Sequence, residues 1–175
     1  MEPNGPQESV PRMNSTRGGF DEFWVGNRDR LCRALTLTVG DTLLAADAID
    51  EAMARAYQRW DHVSSLEAPA GWVFRVGLNW SRSFLRRARR QPPAWLSPAF
   101  AQPAEITEPS IDAALAALPI EQRAVVVCRH LLQMSEADTA AALGVPPGTV
   151  KSRLSRATSK LSDSLSHLDP KEVQR

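Results

Sequence analysis

The stretch that decides the fold runs from Ser135 to Ser159 and reads SEADTAAALGVPPGTVKSRLSRATS. Its first four residues have the outline of a helix capping box, with Asp138 at the place where Glu or Gln is favoured. We predict that the helix opened by this box stops at Gly144 and that a tight turn follows. Pro146-Pro147 then start a second helix, which should reach about Leu165, because proline is well placed at the first helical position. A helix, a glycine-containing turn and another helix together predict a helix-turn-helix.

The second helix of this pair is predicted to have two chemically different faces. The inner stripe is apolar (Val150, Leu154, Ala157, Leu161), and the outer face is basic and hydroxyl-rich (Thr149, Lys151, Ser152, Arg153, Ser155, Arg156). Between Thr139 and Ser162 the chain has four basic residues and no acidic one. Such a helix suits the major groove of DNA, where we expect Arg156 to read a guanine edge and Lys151 and Arg153 to contact phosphates. The alternative interpretation is a solvated basic face that binds nothing.

Upstream of this pair the apolar spacing is helical as well. We predict a helix over Phe20–Leu37, a second over 42–60 capped by Asp41 or Thr42, and a third whose stripe runs from Trp72 to Phe84. Shorter helices are expected over Ile111–Leu118 and Ile120–Leu132. No run of residues is rich in β-branched side chains and bounded by hairpin turns. The fold class is therefore predicted to be all-α.

The chain divides into two predicted folded units. A proline-rich stretch, 92–110, cannot form a continuous helix and is interpreted as a linker between units at 20–91 and 111–168. Residues 1–19 and 169–175 are interpreted as loose tails.

Two charged features mark the first unit. Asp47, Asp50, Glu51 and Arg55 lie off the apolar stripe of the 42–60 helix and form a polar, mainly acidic face. That face suits a basic partner surface, and an ordinary solvated helix face is the alternative. Arginines crowd the end of the third helix at positions 82, 86, 87, 89 and 90. They favour contact with phosphates, and they also suit the negative end of the helix dipole.

Composition excludes several classes of protein. The chain has 175 residues, 21 Lys and Arg against 20 Asp and Glu, and a net charge of +1, so it is not a uniformly basic nucleic-acid coat. Its two cysteines, Cys32 and Cys128, are too far apart for a CxxC zinc site and too few for a disulfide framework. We find no secretory signal, membrane span, catalytic triad or phosphate loop in the sequence, and therefore expect a cytoplasmic protein that is not an enzyme and has no metal, cofactor or small-molecule substrate.

Two stretches of the second unit carry a family resemblance. Leu118–Arg123 (LPIEQR) and Gly144–Ala157 (GVPPGTVKSRLSRA) resemble region 4 of bacterial sigma factors of the sigma-70 superfamily, most of all the extracytoplasmic-function (ECF) class. A helix-turn-helix of the LuxR type shares TVK but usually lacks SRLxRA.

The first unit adds to this resemblance. Phe20–Phe23 is similar to the opening of region 2, Ala46–Tyr57 (ADAIDEAMARAY) to its AEDLVQETFLRAW segment, and Trp72–Asn79 (WVFRVGLN) to its WLYRIARN segment. The wording ARAYxRW suggests an actinobacterial subgroup. The resemblance covers roughly 20–91 and 111–165.

The resemblance implies a sigma factor that directs core RNA polymerase, through its β′ and β subunits, to promoter DNA. Region 2 would bind the β′ coiled coil through Asp47, Asp50, Glu51 and Arg55. Contacts to the −10 element and its backbone would come from Arg75, Asn79, Arg82, Arg86 and Arg87, with the loop His62–Ala68 capturing a flipped base. Region 4 would read the −35 element through Thr149, Lys151, Ser152, Arg153, Ser155 and Arg156. An anti-sigma factor is a further expected partner, because many members of the family are held inactive by one.

The chain departs from the family pattern at three places. Asp50 replaces the usual Gln of the polymerase-binding helix, Ser83 replaces an Asp, and Pro146-Pro147 replace the usual start of the reading helix. The first change bears on one polymerase contact and the other two on promoter preference. Two other functions stay open at this point: a stand-alone helix-turn-helix regulator of LuxR-like type, and an adaptor that binds proteins without contacting DNA.

Overall fold

A computed structural model describes residues 13–90 and 111–165, and the elements in those ranges are helical. The first bundle contains α1 (Met13–Val39), α2 (Thr42–Gln58), α3 (Trp60–Val63) and α4 (Pro69–Arg90). The second bundle contains α5 (Ile111–Ala116), α6 (Ile120–Val126), a π-helical turn (Val127–Leu131), α7 (Glu136–Leu143) and α8 (Pro147–Leu165). The predicted all-α class is confirmed, and no helix in the described parts of the chain is both long and apolar enough to cross a membrane.

Helix boundaries follow the predicted caps with two differences. Asp41 is the N-cap of α2, and its Oδ1 accepts a hydrogen bond from the backbone N–H of Leu44 at 2.9 Å. Helix α1 begins at Met13, inside the stretch interpreted as a tail. The helix expected to continue to Leu132 changes at Val127, because the N–H of Leu132 bonds to the carbonyl of Val127, five residues back, at 2.9 Å. The predicted linker at 92–110 and the tail at 169–175 lie outside the described residues.

The helix-turn-helix has the local geometry that the sequence predicts. Ser135 Oγ accepts the N–H of Asp138 at 3.0 Å, and the Asp138 carboxylate accepts the N–H of Ser135 at 3.3 Å, which completes the capping box. Gly144 ends α7 in the left-handed conformation, with φ 64°, which costs glycine little. Pro147 is the first residue of α8. These short-range features fix the angle at which α8 leaves the turn.

The core of the first bundle lies between α1, α2 and α4. Leu35 of α1, Ile49 of α2 and Phe74 of α4 have no exposed surface. Gly77 lies where α4 crosses α2, and a Cβ atom there would stand 3.1 Å from Ile49 Cδ1 and 3.3 Å from the carbonyl of Ala48. The apolar stripes predicted for α2 and α4 are therefore the inner faces of a close-packed helix crossing.

The second bundle has small cores of its own and also shares the core of the first. Val125, Ala140 and Val150 pack together inside it, and Leu115, Leu118 and Ala157 form another cluster. Six further side chains belong to the same buried cluster as the first-bundle core: Ala124, Val127, Cys128, Leu132, Met134 and Ala142. The sequence predicts two units on a linker, and the structure shows these units packed against each other through apolar surface.

Candidate functional site

Helix α8 separates its two faces as its sequence predicts. Val150 and Ala157 have no exposed surface and face the bundle interior. Lys151, Ser155 and Arg156 are exposed. We call the six predicted −35 residues the α8 outer face. The exposed part of this face offers two cations and a hydroxyl group to a polyanion.

The other three residues of the α8 outer face are only half exposed. Ser152 Oγ donates a hydrogen bond to the carbonyl of Thr149 at 3.1 Å, so its hydroxyl proton is held within the helix. Arg153 lines a cavity of about 120 Å³ together with Arg82 and Glu121. The structure thus brings Lys151, Ser155 and Arg156 to solvent and turns Arg153 toward the first bundle.

A basic groove runs along the outer side of α4. Asn79, Arg86 and Arg87 line a cavity of about 550 Å³, and Arg55 of α2, Trp80 and Ser83 line it as well. Trp80 stacks on Phe84, with ring centroids 5.7 Å apart and planes at 9°. Cations beside an aromatic ring suit single-stranded nucleic acid, because phosphates and bases are then bound together.

The predicted −10 residues are divided between two places. Asn79, Arg86 and Arg87 lie in the α4 groove. Arg75 turns toward the second bundle, where its Nη1 donates a hydrogen bond to the carbonyl of Ala141 at 3.2 Å. Arg82 is half-buried and lies beside Arg153 in the smaller cavity. The sequence analysis did not predict that Trp80 lines the groove. Trp80 and Phe84 are four residues apart, a spacing that places two side chains side by side on one face of a helix.

The loop expected to capture a base lies at the boundary between the bundles. Leu66, Glu67 and Trp72 line a cavity of about 430 Å³ whose other wall is formed by Asp138, Ala141 and Ala142 of α7. The indole ring of Trp72 is half-buried, and most of the lining surface is apolar. A flat aromatic group fits such a lining by stacking and by burial of apolar surface.

The acidic face of α2, formed by Asp47, Asp50, Glu51 and Arg55, is partly paired within the chain. Asp50 accepts two hydrogen bonds of 2.8 Å from Arg28 of α1, one from Nε and one from Nη2. This pairing raises the pKa of Arg28, and the same guanidinium lies 5.7 Å from the ring centre of Trp24. Glu51 accepts a hydrogen bond of 2.7 Å from Arg55, one turn further along α2. Asp47 is exposed.

One residue on this side of α2 was missed by sequence reasoning. Leu43 is 79% exposed and precedes Asp47 by one helical turn. An exposed apolar side chain of this size can be buried by a partner protein, because the centre of a protein interface is more apolar than its rim. The sequence indicates that Leu43 lies off the apolar stripe of α2, since Leu44 and Ala45 belong to the stripe at this point.

The cysteines take no part in these surfaces. Burial raises the pKa of the Cys128 thiol to about 12, and burial also raises the pKa of the half-buried Cys32. In the described residues, no group of three His, Cys, Asp or Glu side chains stands close enough together to hold a metal ion.

Comparisons with known proteins define the class of this chain. A family model of Sigma-70 region 2 matches residues 25–91, and a model of Sigma-70, region 4 matches residues 109–161. The RNA polymerase sigma-E factor of Streptomyces avermitilis is 35% identical over 167 residues, which cover 89% of this chain and 91% of that protein. The ECF RNA polymerase sigma factor SigM of Mycobacterium tuberculosis is 36% identical over 157 residues, which cover 87% and 80%.

Solved structures show the same fold. The sigma factor RpoE of Bartonella quintana, in complex with the anti-sigma factor NepR, superposes with a TM-score of 0.69 at 22% identity, covering 85% of this chain and 97% of that chain. CnrH in complex with the cytosolic domain of CnrY superposes with a TM-score of 0.60 at 25% identity, covering 86% and 90%.

The chain therefore belongs to the sigma-70 family of transcription initiation factors. Within that family it is an RNA polymerase sigma factor of the ECF type, and its function is to direct core RNA polymerase to promoters. The prediction drawn from the GTVKSRLSRA and ADAIDEAMARAY stretches is confirmed. Neither the stand-alone regulator nor the adaptor is favoured by these relatives.

Proposed function

We propose that the two bundles divide promoter recognition between them, with region 2 at 20–91, a connector at 92–110 and region 4 at 111–168. The observation that carries this proposal is the α8 outer face, where Lys151 and Arg156 are exposed on the second helix of a helix-turn-helix. Region 4 reads the −35 element in the major groove through this face. Arg156 is the base-reading residue, and Lys151 contacts phosphate.

Region 2 then holds the melted −10 element. The α4 groove offers Arg86 and Arg87 to the sugar–phosphate backbone, Asn79 to a base edge and Trp80 as a stacking surface. Arg75, Arg82 and the His62–Ala68 loop complete this site once they are released from the second bundle. The chain contributes recognition only, and core polymerase supplies the chemistry of RNA synthesis, in the cytoplasm where the polymerase and the chromosome meet.

The α2 acidic face is the proposed docking surface for core polymerase. Asp47 is its exposed carboxylate, and Glu51 stands one turn further along. Arg55 belongs to the face through its pairing with Glu51. The bidentate bond from Arg28 holds Asp50 in place, so that Asp50 shapes the surface. Leu43 adds apolar contact at its edge.

An anti-sigma factor is a further proposed partner. One of the similar solved structures is the sigma factor RpoE in complex with the anti-sigma factor NepR, and another is CnrH in complex with the cytosolic domain of CnrY. Their fold is shared by this chain over most of its length, which supports the proposal that a protein of this kind also controls this sigma factor.

Co-elution with core RNA polymerase tests the docking surface. Wild-type protein is expected to co-elute with core enzyme on gel filtration, and Asp47→Ala/Glu51→Ala is expected to lose the complex, because two carboxylates that meet a basic partner surface are removed. Asp21→Ala/Glu22→Ala is the matched control, since it removes two exposed carboxylates from α1 and should co-elute like the wild type. If the Asp47→Ala/Glu51→Ala variant, shown folded by circular dichroism, co-elutes as fully as the control, the proposed surface is wrong.

A further inference from the structure

A second cavity continues the α4 groove onto the end of α2. This cavity, of about 340 Å³, is lined by three residues at the end of α2 and two of α4, namely Arg55, Gln58, Arg59, Trp72 and Val76. Arg55 and Val76 also line the 550 Å³ cavity of the α4 groove. The two cavities therefore form one continuous surface along the seam between α2 and α4, which we call the extended groove, and Arg55 stands where they meet.

The side chains that line the extended groove suit a single strand of DNA. Of the described residues in its lining, four are arginines, at positions 55, 59, 86 and 87, and none is acidic. The lining also contains the indole rings of Trp72 and Trp80. Arginines bind the phosphates of a single strand and aromatic rings stack on its bases, whereas an acidic polypeptide would use the arginines alone.

One of the four arginines is held by a carboxylate that lies outside the extended groove. Nε of Arg55 donates a hydrogen bond of 2.7 Å to Oε1 of Glu51, a residue of the α2 acidic face proposed to dock core polymerase. Arg59, four residues further along, forms no ion pair with any described residue. An exposed pair such as Glu51–Arg55 is weak, so a partner that binds one member readily displaces the other.

The stability of α2 does not by itself explain two arginines at this place. Positive charge near the end of a helix is favourable, because the carbonyl end of the helix dipole is negative. Two like charges four residues apart repel each other, however, and Arg55 and Arg59 have this spacing. A phosphate backbone that lies over both side chains would remove that repulsion.

We propose that Arg55 and Arg59 bind phosphates of the melted −10 strand as an extension of the α4 groove, and that Glu51 withholds Arg55 from this strand until core polymerase occupies the acidic face. This inference rests on the proposed place of the −10 strand in the α4 groove. The coupling is reciprocal, because a strand that binds Arg55 leaves Glu51 free for polymerase. Arg55, expected from the family resemblance to contact polymerase, then contacts DNA as well.

Binding of a single strand measures the contribution of each arginine. The probe is a short fluorescein-labelled oligothymidylate, and its fluorescence anisotropy is followed at several salt concentrations with full-length protein. Every protein carries Lys151→Ala/Arg156→Ala, so that the α8 outer face adds little to binding. Arg55→Gln and Arg59→Gln should each lower the slope of log affinity against log salt by about 0.7, the value for one phosphate contact on a single strand. Arg33→Gln, at an exposed arginine of α1, is the matched control and should leave the slope unchanged.

Glu51→Gln tests whether the ion pair withholds Arg55. Glutamine keeps the shape of the side chain and loses its charge, so the affinity for the oligothymidylate should rise about twofold, the size expected for an exposed pair. Glu22→Gln, which makes the same change at an exposed glutamate of α1, should leave the affinity unchanged. In an Arg55→Gln background, Glu51→Gln should no longer raise the affinity, because the withheld side chain is absent.

Three results would overturn this inference. One is an unchanged salt slope in either Arg55→Gln or Arg59→Gln, with the variant shown folded by circular dichroism. Another is an equal gain from Glu51→Gln with and without Arg55, which would leave Glu51 no part in withholding it. The third is competition by poly-L-glutamate as strong as that by unlabelled oligothymidylate, which would assign the extended groove to an acidic protein.

Arg86→Gln/Arg87→Gln separates these results from failure of the proposed function. If this variant loses affinity while Arg55→Gln and Arg59→Gln do not, the α4 groove binds the strand and its extension onto α2 is wrong. If no variant loses affinity, or if the protein does not bind the oligothymidylate at low salt, the α4 groove is itself wrong as the −10 site, and the extension is wrong with it.

Discussion

Helices α2 and α8 both show an apolar stripe on one side and charged residues on the other, yet the structure treats their outer faces differently. On α8, Lys151 and Arg156 reach solvent from the outer side of a helix-turn-helix. On α2, Asp50 is bound by Arg28 of another helix, and Glu51 is paired with Arg55. A charged face on one helix therefore marks a candidate binding surface, and the contacts of each side chain with its neighbours show which charges remain available.

Substitutions on the inner face and on the outer face of α2 should have the most different effects on stability. Ile49 has no exposed surface, so Ile49→Ala should lower the free energy of unfolding by about 2–5 kcal/mol through lost burial and an unfilled cavity. Urea denaturation followed by circular dichroism measures the change. Leu43→Ala, on the exposed side of the same helix, is the control and should stay within about 0.5 kcal/mol of the wild type. Equal losses in the two variants would contradict the assignment of the two faces.

Much of this fold could be predicted because its signals are short-range. The Ser135–Asp138 capping box, the left-handed Gly144 and the Asp41 cap depend on residues within one or two helical turns, and each was readable from the sequence. The π-helical turn at Val127–Leu131 was not predicted, because the apolar pattern there also fits a continuous α-helix.

Contacts between distant residues could not be predicted in the same way. Arg28 and Asp50 stand on different helices, and nothing in the spacing of either helix indicates their pairing. The approach of Met134 to Gly71 and the turn of Arg75 toward Ala141 depend on how the two bundles pack. Helical periodicity shows which side of a helix is buried, but it does not identify the surface that buries it.

Substitutions on the α8 outer face should distinguish the loss of base reading from the loss of a phosphate contact. Arg156→Ala should weaken promoter binding by holoenzyme by about 1–3 kcal/mol and relax the sequence preference at one position, because a bidentate contact to a base is lost. A promoter fragment is first selected from random-sequence DNA with wild-type holoenzyme. Electrophoretic mobility shifts on this fragment and on its single-base variants measure both effects.

Lys151→Ala is the informative comparison for this face. It should weaken binding to all sequences alike and reduce the slope of log affinity against log salt by about 1, because one phosphate contact is removed. Arg33→Ala, which removes an exposed arginine of α1, controls for the loss of one positive charge. If Arg156→Ala left the single-base preferences unchanged, the assignment of base reading to this residue would be wrong.

The smallest expected effect on stability comes from loss of the ion pair between Arg28 and Asp50. Asp50→Asn should cost about 1 kcal/mol of stability or less, because the ion pair is partly exposed, with side chains 32% accessible at Arg28 and 45% at Asp50. Thermal denaturation at low and high salt measures the change, and most of the difference from wild type should vanish at high salt. Asp47→Asn, with an exposed carboxylate, should not alter stability. A larger loss of stability from Asp47→Asn than from Asp50→Asn would contradict the conclusion that Asp50, and not Asp47, stabilises the fold through an ion pair.

Promoter recognition by this protein is tested by transcription from genomic DNA by core RNA polymerase with and without it, followed by sequencing of RNA 5′ ends. We expect a set of new start sites preceded by a shared pair of elements near −10 and −35, absent with core enzyme alone and strongly reduced with Lys151→Ala/Arg156→Ala. Start sites identical to those of core enzyme alone, obtained with folded protein free of any inhibitor, would contradict promoter recognition by this protein.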